Sequence, residues 1–441
     1  MSETDSFIRI PESLCTNLGV STGTSVTVTI GNRSANARVV LRGGDTNKSQ
    51  TTVQLSGRLA NSLNVPTGMN LGVIRAGDKL KVGPLIGIMA KRHKNGIFGQ
   101  DSFYRKLLAQ LKKLNCIGMV FTPQSIDWES HTINGYYPSN NGSSAWRSRS
   151  FPFPDVVYNR YFRKDGDPWS YPILNRMNKS GVKSFNVPIG SKWKIHRLLS
   201  LDRDIRAHIP DTQVLTGVKI LLDMLQKHRQ VYVKPAGGCQ GRGISRIRKS
   251  NGTYLCRSTK DSQEYRYNDI NRVYRRTRSA GKSKIMLVQQ AITCPSTTGH
   301  FDVRAMVQKD HTNTWQITGL VARVGVKGRV TTNLHTGGRA ERLETLLSKC
   351  GFKSSEVLDI ISNTKKLALT IAESLERHVK PIGEIGLDFI IDAGGNVWFL
   401  EANSKPGRKA FSTMESNNEE RLTIARPMLY ARYLAGFREG D

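Results

Sequence analysis

The stretch GEIGLDFIIDAGGNVWFLEANSKPG, residues 383–407, decides the fold. It consists of two apolar strands separated by the turn DAGGN, which is the pattern of a β-hairpin. Alternate residues of a strand share a face, so Glu401 and Asn403 point to the same side of the hairpin. Folding about the turn brings Asp388 to within about one residue of the position opposite Glu401.

This hairpin carries a candidate metal site. Two carboxylates and an amide carbonyl on one sheet face are the hard oxygen ligands that magnesium prefers, and the ion normally shares its coordination with substrate phosphates and water. Acidic residues at a hairpin usually belong to a solvated face. Here their neighbours are apolar, and burying two carboxylates without a cation is costly. We therefore predict that Asp388, Glu401 and Asn403 bind a metal ion.

A glycine-rich segment lies upstream, in VYVKPAGGCQGRGI at residues 231–244. A β-branched strand ends at Lys234, and four glycines follow: Gly237, Gly238, Gly241 and Gly243. Glycines let the backbone approach a polyphosphate and present its N–H groups, and the lysine adds a positive charge. The segment is neither a Walker A loop nor a Rossmann fingerprint, because no GK[ST] follows and no helix start with a later ribose-binding acid is evident. A plain hairpin loop explains it equally well on its own.

Three further segments carry candidate binding residues. KIMLVQQAI (284–292) is typical of a buried hinge strand along which a nucleotide base could lie. In FDVRAMVQ (301–308), alternation puts Asp302 and Arg304 on one face, where Arg304 contacts a phosphate or is simply an exposed strand arginine. The helix that begins in SKWKIHRLLS supplies Lys192 and Lys194.

Taken in this order, the segments resemble the ATP-grasp superfamily, and more closely the YheC/YheD family of endospore coat-associated ATP-grasp proteins. The superfamily resemblance covers about residues 190–441, and the family resemblance spans most of the chain. Besides the two long stretches quoted above, the matching segments are VVYNR (156–160), SKWKIH (191–196) and HIPDT (208–212).

The resemblance implies a role for each nucleotide-binding candidate. Lys234 contacts the α- and β-phosphates of ATP, the glycines of 237–243 form a flap over the triphosphate, and Lys192 or Lys194 is the earlier nucleotide-contacting lysine. The hinge acid that ATP-grasp enzymes often use for the ribose hydroxyls is replaced here by Gln289 and Gln290. An amide can still form a hydrogen bond with ribose.

The resemblance also implies a metal and a reaction. Asp388, Glu401 and Asn403 hold one or two Mg²⁺ ions, with Mn²⁺ as an alternative, and Arg304 stabilises the transferring phosphoryl group. ATP-grasp enzymes activate a carboxylate as an acyl phosphate that an amine or a related nucleophile attacks. The first hypothesis is therefore an ATP- and magnesium-dependent carboxylate–amine ligase. The alternative is an ATP-binding structural or assembly protein of the spore coat without ligase turnover.

An internal repeat indicates the domain organisation. Segment 8–24 matches segment 53–69 at a constant offset of 45 residues, and each copy contains a strand, a helical turn and a glycine turn. We expect an accessory domain at 1–80, a small barrel of the double-psi type, although two unrelated hairpins would share the pattern. A pre-ATP-grasp α/β domain at 81–188 and an ATP-grasp domain at 189–441 follow. Within the second domain, the Ser/Asn/Gly/Pro-rich stretch 138–154 predicts a surface loop.

The charge of the 441-residue chain restricts its partners. It contains 66 Lys and Arg against 35 Asp and Glu, a net charge of +31, which favours acidic partners. Residues 231–330 hold 19 basic and 5 acidic residues. The run at 272–284 is therefore either a solvated basic loop or a contact for an acidic small molecule, peptide or polymer. Nucleic acid is disfavoured, because no recognised binding motif accompanies the charge.

Composition also bears on location. No apolar run reaches the ~18 residues that a membrane-spanning helix needs, and the N-terminus lacks the apolar region of a secretory signal. The six cysteines are scattered without a CxxC pair, a pattern typical of reduced thiols in the cytoplasm. The family resemblance adds the spore coat or forespore surface as a location and spore-coat proteins as partners.

Overall fold

The computed structural model describes residues 5–42, 51–93, 96–139, 145–162, 170–237, 242–259, 263–280, 285–295, 300–326, 337–379, 381–413 and 417–438. The chain forms two compact units. The first unit contains Met1–Val187, Lys309–Thr314 and Ile424–Asp441, and the second contains Pro188–Gln308 and Trp315–Thr423.

The first unit begins with a six-stranded sheet that closes on itself. Its strand order is β4-β1-β3-β2-β6-β5, and a bridge between Val53 and Leu71 joins the two ends of this order. The closed sheet is the small barrel that the repeat predicts. Its elements are β1 (Phe7–Ile10), α1 (Glu12–Leu18), β2 (Ser25–Ile30), β3 (Arg33–Leu41), β4 (Gln54–Leu55), α2 (Gly57–Ser62), β5 (Gly72–Ala76) and β6 (Lys79–Gly83).

The backbone conformation repeats at the same offset of 45 residues as the sequence. Helices α1 and α2 start 45 residues apart, each directly after the first strand of its copy. Residues 19 and 64 both have a positive φ, and so do Gly23 and Gly68. Each copy therefore leaves its helix and enters its next strand through the same pair of left-handed positions, which glycine and asparagine adopt most easily.

A second sheet, with both parallel and antiparallel strand pairs, follows in the same unit. Its order is β11-β12-β10-β7-β14-β15, and β13 pairs with β12. This sheet contains a strand–helix–strand crossover, because β7 and β10 are parallel neighbours joined through α3. The elements are β7 (Leu85–Met89), β8 (Arg92–His93), β9 (Gly96–Phe98), α3 (Asp101–Lys113), β10 (Ile117–Phe121), β11 (Ile126–Asp127), β12 (Thr132–Pro138), β13 (Trp146–Pro152), β14 (Val156–Asn159), α4 (Ser170–Lys179) and β15 (Lys183–Phe185).

The prediction of a surface loop over 138–154 is wrong over 146–152, and residues 140–144 of that stretch lie outside the described residues. Residues 146–152 form β13, which pairs with β12 from Thr132↔Pro152 to Pro138↔Trp146. The partner strand provides the hydrogen bonds, and buried Phe151 anchors the segment, so the Ser- and Arg-rich composition does not prevent a strand.

The second unit contains a six-stranded antiparallel sheet with the order β16-β21-β17-β18-β19-β20. Helices α7 and α8 cover one face of it, where Leu221, Leu225 and Val273 pack with Val231 and Ile247. The elements are α5 (Lys192–Leu199), α6 (Arg203–Arg206), β16 (Thr212–Val214), α7 (Val218–His228), β17 (Gln230–Pro235), β18 (Ser245–Ser250), β19 (Thr253–Ser258), β20 (Glu264–Tyr267), α8 (Ile270–Ala280) and β21 (Met286–Gln290).

The remaining sheet of this unit has five strands in the order β24-β23-β22-β25-β26. The predicted hairpin forms β25 and β26, and the long helix α10 precedes it. The elements of this part of the chain are β22 (Phe301–Lys309), β23 (Trp315–Val324), β24 (Arg339–Glu341), α9 (Leu343–Lys349), α10 (Ser354–His378), β25 (Glu384–Ile391), β26 (Val397–Asn403), α11 (Lys409–Ser412) and α12 (Asn417–Leu434), of which α12 belongs to the first unit from Ile424 onward. Among the helices of the described residues, none is both long and apolar enough to cross a membrane.

Candidate functional site

A cleft in the second unit brings together four of the predicted binding residues: Lys192, Lys234, Gln289 and Glu401. The cleft and the open solvent at its mouth together occupy about 350 Å³, and its lining comes from α5, from both sheets and from the segment before β16. One part of the lining is apolar and the rest carries a few polar groups, which is the usual composition of a small-molecule site. The apolar side chains are Ile195, Ile209, Leu287, Phe399, Leu400 and Ala402, and the polar ones are Lys192, His196, Thr212, Lys234, Gln289 and Glu401.

Lys234 lies near the end of β17 and is buried in this cleft. Its Nζ donates a hydrogen bond of 2.7 Å to Oε1 of Gln289, and Nε2 of Gln289 donates one of 2.8 Å to Oγ1 of Thr212. Strand pairing aligns the three residues, because β21 lies between β16 and β17. Burial, reinforced by the charge of Lys192, lowers the pKa of Lys234 to about 8, although Glu401 opposes the change.

Of the two candidate lysines on α5, Lys192 lies in the cleft. Ser191 caps the helix by accepting a hydrogen bond from the backbone N–H of Lys194, which makes Lys192 the first helical residue. Nζ of Lys192 lies 3.2 Å from Oε2 of Glu401. Lys194 is exposed and does not line the cleft.

The hairpin brings the predicted metal-binding residues together. Asp388 lies directly opposite Glu401, Gly386 lies opposite Asn403, and the register shifts just after Asp388. Nδ2 of Asn403 donates to Oε1 of Glu401 at 3.3 Å. Burial would raise the pKa of Glu401, but the charges of Lys192 and Lys234 and the amide of Asn403 outweigh it and hold that pKa well below its usual range.

Asp388 belongs to a buried network of two carboxylates and two guanidinium groups. Arg304 donates to both of its oxygens, through Nε to Oδ1 and through Nη2 to Oδ2 at 2.9 Å. Nη2 of Arg323 lies 3.0 Å from the same Oδ2. Arg323 also donates to both oxygens of Asp302, at 2.6 and 2.8 Å. Arg304 is thus not an exposed strand arginine, because both faces of β22 are buried.

The donor set fits a magnesium ion in part. Among the described residues, no group of three or more His, Cys, Asp or Glu side chains is arranged to hold a metal ion. Magnesium needs only one or two carboxylates when phosphates and water supply its other ligands. Glu401 and Asn403 offer such oxygens beside the cleft, whereas both oxygens of Asp388 accept hydrogen bonds from arginines.

The glycine-rich segment is described only at its ends. Gly237 is exposed, and Gly243 has φ +71°, a conformation that glycine adopts without strain. Gly238 and Gly241 lie outside the described residues. At the hinge, the Gln289 amide is engaged by Lys234 and Thr212, and Oε1 of Gln290 accepts from the backbone N–H of Asp211 at 3.2 Å. The role of the two glutamines toward a ribose stays a prediction.

Three residues of the site were not predicted from the sequence: Arg323, Thr212 and His196. Arg323 is a lone arginine among apolar strand residues, LVARVGV, and this pattern alone could have indicated a buried acidic partner. His196 stacks on Trp193 at 5.2 Å, and burial together with the charge of Lys234 lowers its pKa. His196 is therefore mainly neutral at pH 7.

Comparison with models of protein families identifies the family to which the chain belongs. The family model described as YheC/D like ATP-grasp matches residues 181–434, more than half of the chain. The chain belongs to the YheC/D-like ATP-grasp family. The ATP-grasp architecture expected from the hairpin, the lysine-ended strand and their order is thereby confirmed, together with the mixed α/β fold class.

Two relatives of this YheC/D-like protein come from Bacillus subtilis (strain 168). Endospore coat-associated protein YheD is 28% identical over 401 residues, which cover 88% of this chain and 86% of the relative. Endospore coat-associated protein YheC is 25% identical over 321 residues, covering 71% of this chain and 87% of the relative. The similarity thus extends well upstream of the region that the family model matches.

Solved structures give more distant similarities. D-alanyl-alanine synthetase A from Vibrio cholerae O1 biovar eltor overlaps with a TM-score of 0.49 and 14% identity, covering 79% of this chain and 99% of that chain. The ATP-grasp ligase PsnB, complexed with a minimal precursor, overlaps with a TM-score of 0.46 and 17% identity, covering 78% of this chain and 98% of that chain.

Proposed function

We propose that this protein is an ATP- and magnesium-dependent ligase that joins a carboxylate to an amine or a related nucleophile. The observation that carries the proposal is the cleft in which two lysines, Lys192 and Lys234, lie beside the carboxylate of Glu401 and next to an apolar wall. A nucleoside triphosphate has this same division into an apolar base and a polyanionic tail.

The cleft divides into a base half and a phosphate half. Leu287, Phe399 and Leu400 would enclose the adenine ring, since aromatic and aliphatic side chains favour burial of a flat apolar surface. The ammonium groups of Lys192 and Lys234 would bind the phosphates, and the 237–243 segment would cover them. Lys234 meets a neutral amide in the protein, so it can exchange that partner for a phosphate oxygen without leaving a carboxylate unpaired.

A metal ion would be held by Glu401 and Asn403, with Asp388 joining them if its arginines turn toward the phosphates. Magnesium in such a site neutralises phosphate charge and orients the triphosphate. Lys192 and Arg304 would then exchange carboxylate partners for phosphate oxygens, because both carry the charge that a transferring phosphoryl group requires.

The reaction balances without a side-chain nucleophile. A carboxylate oxygen of the acceptor attacks the γ-phosphorus, the bond to the β–γ bridging oxygen breaks, and ADP leaves with that electron pair. The amine nitrogen then attacks the acyl carbon, the bond to the phosphate oxygen breaks, and the nitrogen loses a proton to solvent. The protein contributes position and positive charge, which are the main requirements of phosphoryl transfer.

Oxygen transfer tests the proposal directly. Candidate acidic peptides labelled with ¹⁸O in their carboxylates are incubated with ATP, magnesium and amines, and the released phosphate is analysed by mass spectrometry. A ligase transfers one labelled oxygen to phosphate for each ADP formed, whereas a simple ATPase transfers none. Glu401→Gln should abolish the transfer, and Lys194→Met, which changes an exposed lysine on the same helix, should preserve it.

An assembly role without turnover is the second candidate function. Its support is that both relatives from Bacillus subtilis are named endospore coat-associated proteins. In this case nucleotide binding would stabilise one conformation on the spore surface, with coat proteins as partners and the cytoplasm as the place of synthesis. The same labelling experiment separates the two candidates, because an assembly protein would bind ATP but release no ADP with any acceptor.

A further inference from the structure

The basic run predicted at 272–284 is not a loop where the structure describes it. Residues 270–280 form α8, which packs Val273 and Thr277 into the core and presents arginines on its outer side. Arg272, Arg275 and Arg278 are exposed. The side chains of this helix therefore divide into a core face and a guanidinium face.

This guanidinium face is unfavourable for the isolated helix. Arg272 and Arg275 are three residues apart, as are Arg275 and Arg278, and like charges at this spacing destabilise a helix. Asp269 lies just before α8, and the hydrogen bonds it accepts from Asn271, with a smaller effect of Arg272 and Arg275, lower its pKa. Residues 245–280 contain ten Lys and Arg against three Asp and Glu, so acids of this segment leave most of the charge unbalanced.

Strand β20 lies beside this helix and ends the six-stranded sheet. The guanidinium of Arg276, on α8, stacks over the ring of Tyr265, on β20, at 3.8 Å from its centroid. In the part of the chain that the structure describes, β20 pairs with β19 on one side and with no strand on the other. Arg266 on this strand is exposed. An edge strand of this kind can accept one further strand through its backbone.

We propose that β20 and the guanidinium face of α8 form a docking surface for an acidic polypeptide segment bound in extended conformation. The peptide backbone pairs with the outer edge of β20, and its carboxylates lie against Arg272, Arg275 and Arg278. Side chains on one side of an extended strand repeat every ~6.7 Å and arginines three residues apart on a helix rise by ~4.5 Å, a difference that the long arginine and glutamate side chains span. A nucleic acid matches the charge but has no amide backbone to pair with the edge.

A docking surface of this kind would make acidic polypeptides the acceptors of the proposed ligase. This part of the inference rests on the proposed function. Binding does not require turnover, so the two claims can fail separately. If an acidic peptide binds here and no ADP is formed, the ligase proposal fails and the docking surface stands. If ADP forms with acceptors that do not bind this surface, the ligase proposal stands and the docking surface fails as the acceptor site.

The test measures binding of a fluorescein-labelled oligoglutamate to the full chain by fluorescence anisotropy, without ATP, over a series of salt concentrations. The main variant is R272E/R275E/R278E, and R272Q/R275Q/R278Q serves as a second variant that removes the like-charge repulsion. The matched control is K353E/K365E/K366E, which changes the same net charge through exposed lysines at the start of α10 and along it. Circular dichroism checks that each variant is folded.

We expect the glutamate variant to bind oligoglutamate roughly tenfold more weakly or worse, about 1.4 kcal/mol, and the glutamine variant to follow the same direction. The control should stay within about twofold, since distant exposed charges are screened by salt. Methylation of alternate backbone nitrogens of the peptide should also weaken binding. The proposal is overturned if oligoglutamate does not bind, if the control weakens binding as much as the α8 variants, or if an oligothymidylate binds more tightly than the peptide.

Discussion

The two sheets of the second unit differ in the kind of group that contacts a buried charge. In the five-stranded sheet, Asp388 has a side chain only 4% exposed and is held by Arg304 and Arg323. In the six-stranded sheet, the buried charge of Lys234 meets the neutral amide of Gln289. A charge paired with opposite charges is fixed in its ionised state, whereas one held by an amide can change its protonation or its partner. The ion-paired carboxylate therefore contributes mainly to the stability of the protein, whereas the amide-bound lysine can respond to pH and to a ligand.

The largest expected effect is on the stability that the buried Asp388 ion pairs provide. Asp388→Asn leaves two buried guanidinium groups without their shared carboxylate, which should lower the free energy of unfolding by about 3–5 kcal/mol. Glu401→Gln, on the opposite strand, removes a carboxylate whose side chain is 32% exposed and should cost less than about 1 kcal/mol. Urea unfolding followed by tryptophan fluorescence measures both. Equal losses in the two variants would contradict the difference between the strands.

The next effect is on ATP binding through Lys234. Lys234→Met removes a charge-assisted contact worth about 1.5–3 kcal/mol, so the dissociation constant for ATP should rise roughly 10- to 150-fold. Isothermal titration calorimetry measures it, with Lys194→Met as the control.

The same lysine predicts a pH dependence. Its pKa of about 8 means that the ammonium form, which we propose binds phosphate, is present below pH 8 and is lost above it. ATP affinity should therefore fall as the pH rises through 8, by up to roughly tenfold per unit if only the ammonium form binds. Lys234→Arg stays charged over this range and should show a flat profile. A wild-type profile as flat as that of Lys234→Arg would contradict the lowered pKa.

Lys192 and Lys194 lie on the same turn of α5, so substitution of Lys194 is a control for substitution of Lys192. Lys192→Met should raise the dissociation constant for ATP roughly tenfold, because it removes the ammonium group beside Glu401. Lys194→Met changes an exposed side chain outside the cleft and should leave the constant within about twofold. Calorimetry with both variants decides, and the opposite order would place the nucleotide outside this cleft.

The smallest effect concerns the amide that holds Lys234. Gln289→Glu places a negative charge at the position that accepts the hydrogen bond from Lys234, so the pH at which ATP affinity falls should move upward. Gln289→Leu removes the acceptor and should move that pH downward. The two pH profiles of ATP binding test this together. A shift in the same direction for both variants would show that Gln289 does not control the protonation of Lys234.

The hairpin could be predicted from the sequence because the residues that determine it lie close together along the chain. Strand alternation and the DAGGN turn together determine the register, and they predict Asp388 near Glu401, as the structure has it. The choice between Lys192 and Lys194 could not be made, since both lie in the first turn of α5. The rotation of that helix is set by burial of Ile195 and Leu199 against the rest of the unit.

Arg323 was missed for a different reason. It lies 65 residues before Asp388 on another strand, and no periodicity of its own segment connects the two. Only the folded sheet, in which β22 lies between β23 and β25, brings both side chains to one place. The same holds for Thr212, whose contact with Gln289 depends on β16 pairing with β21. Long-range partners of buried polar groups are set by topology, which one sequence does not contain.

A crystal structure with a non-hydrolysable ATP analogue and magnesium tests the central claim most directly. We expect phosphate oxygens at hydrogen-bond distance from Nζ of Lys192 and Lys234, with the metal on Glu401 and Asn403 and the base against Leu287 and Phe399. A nucleotide bound elsewhere, with Lys234 still on Gln289 and Lys192 still on Glu401, would contradict it.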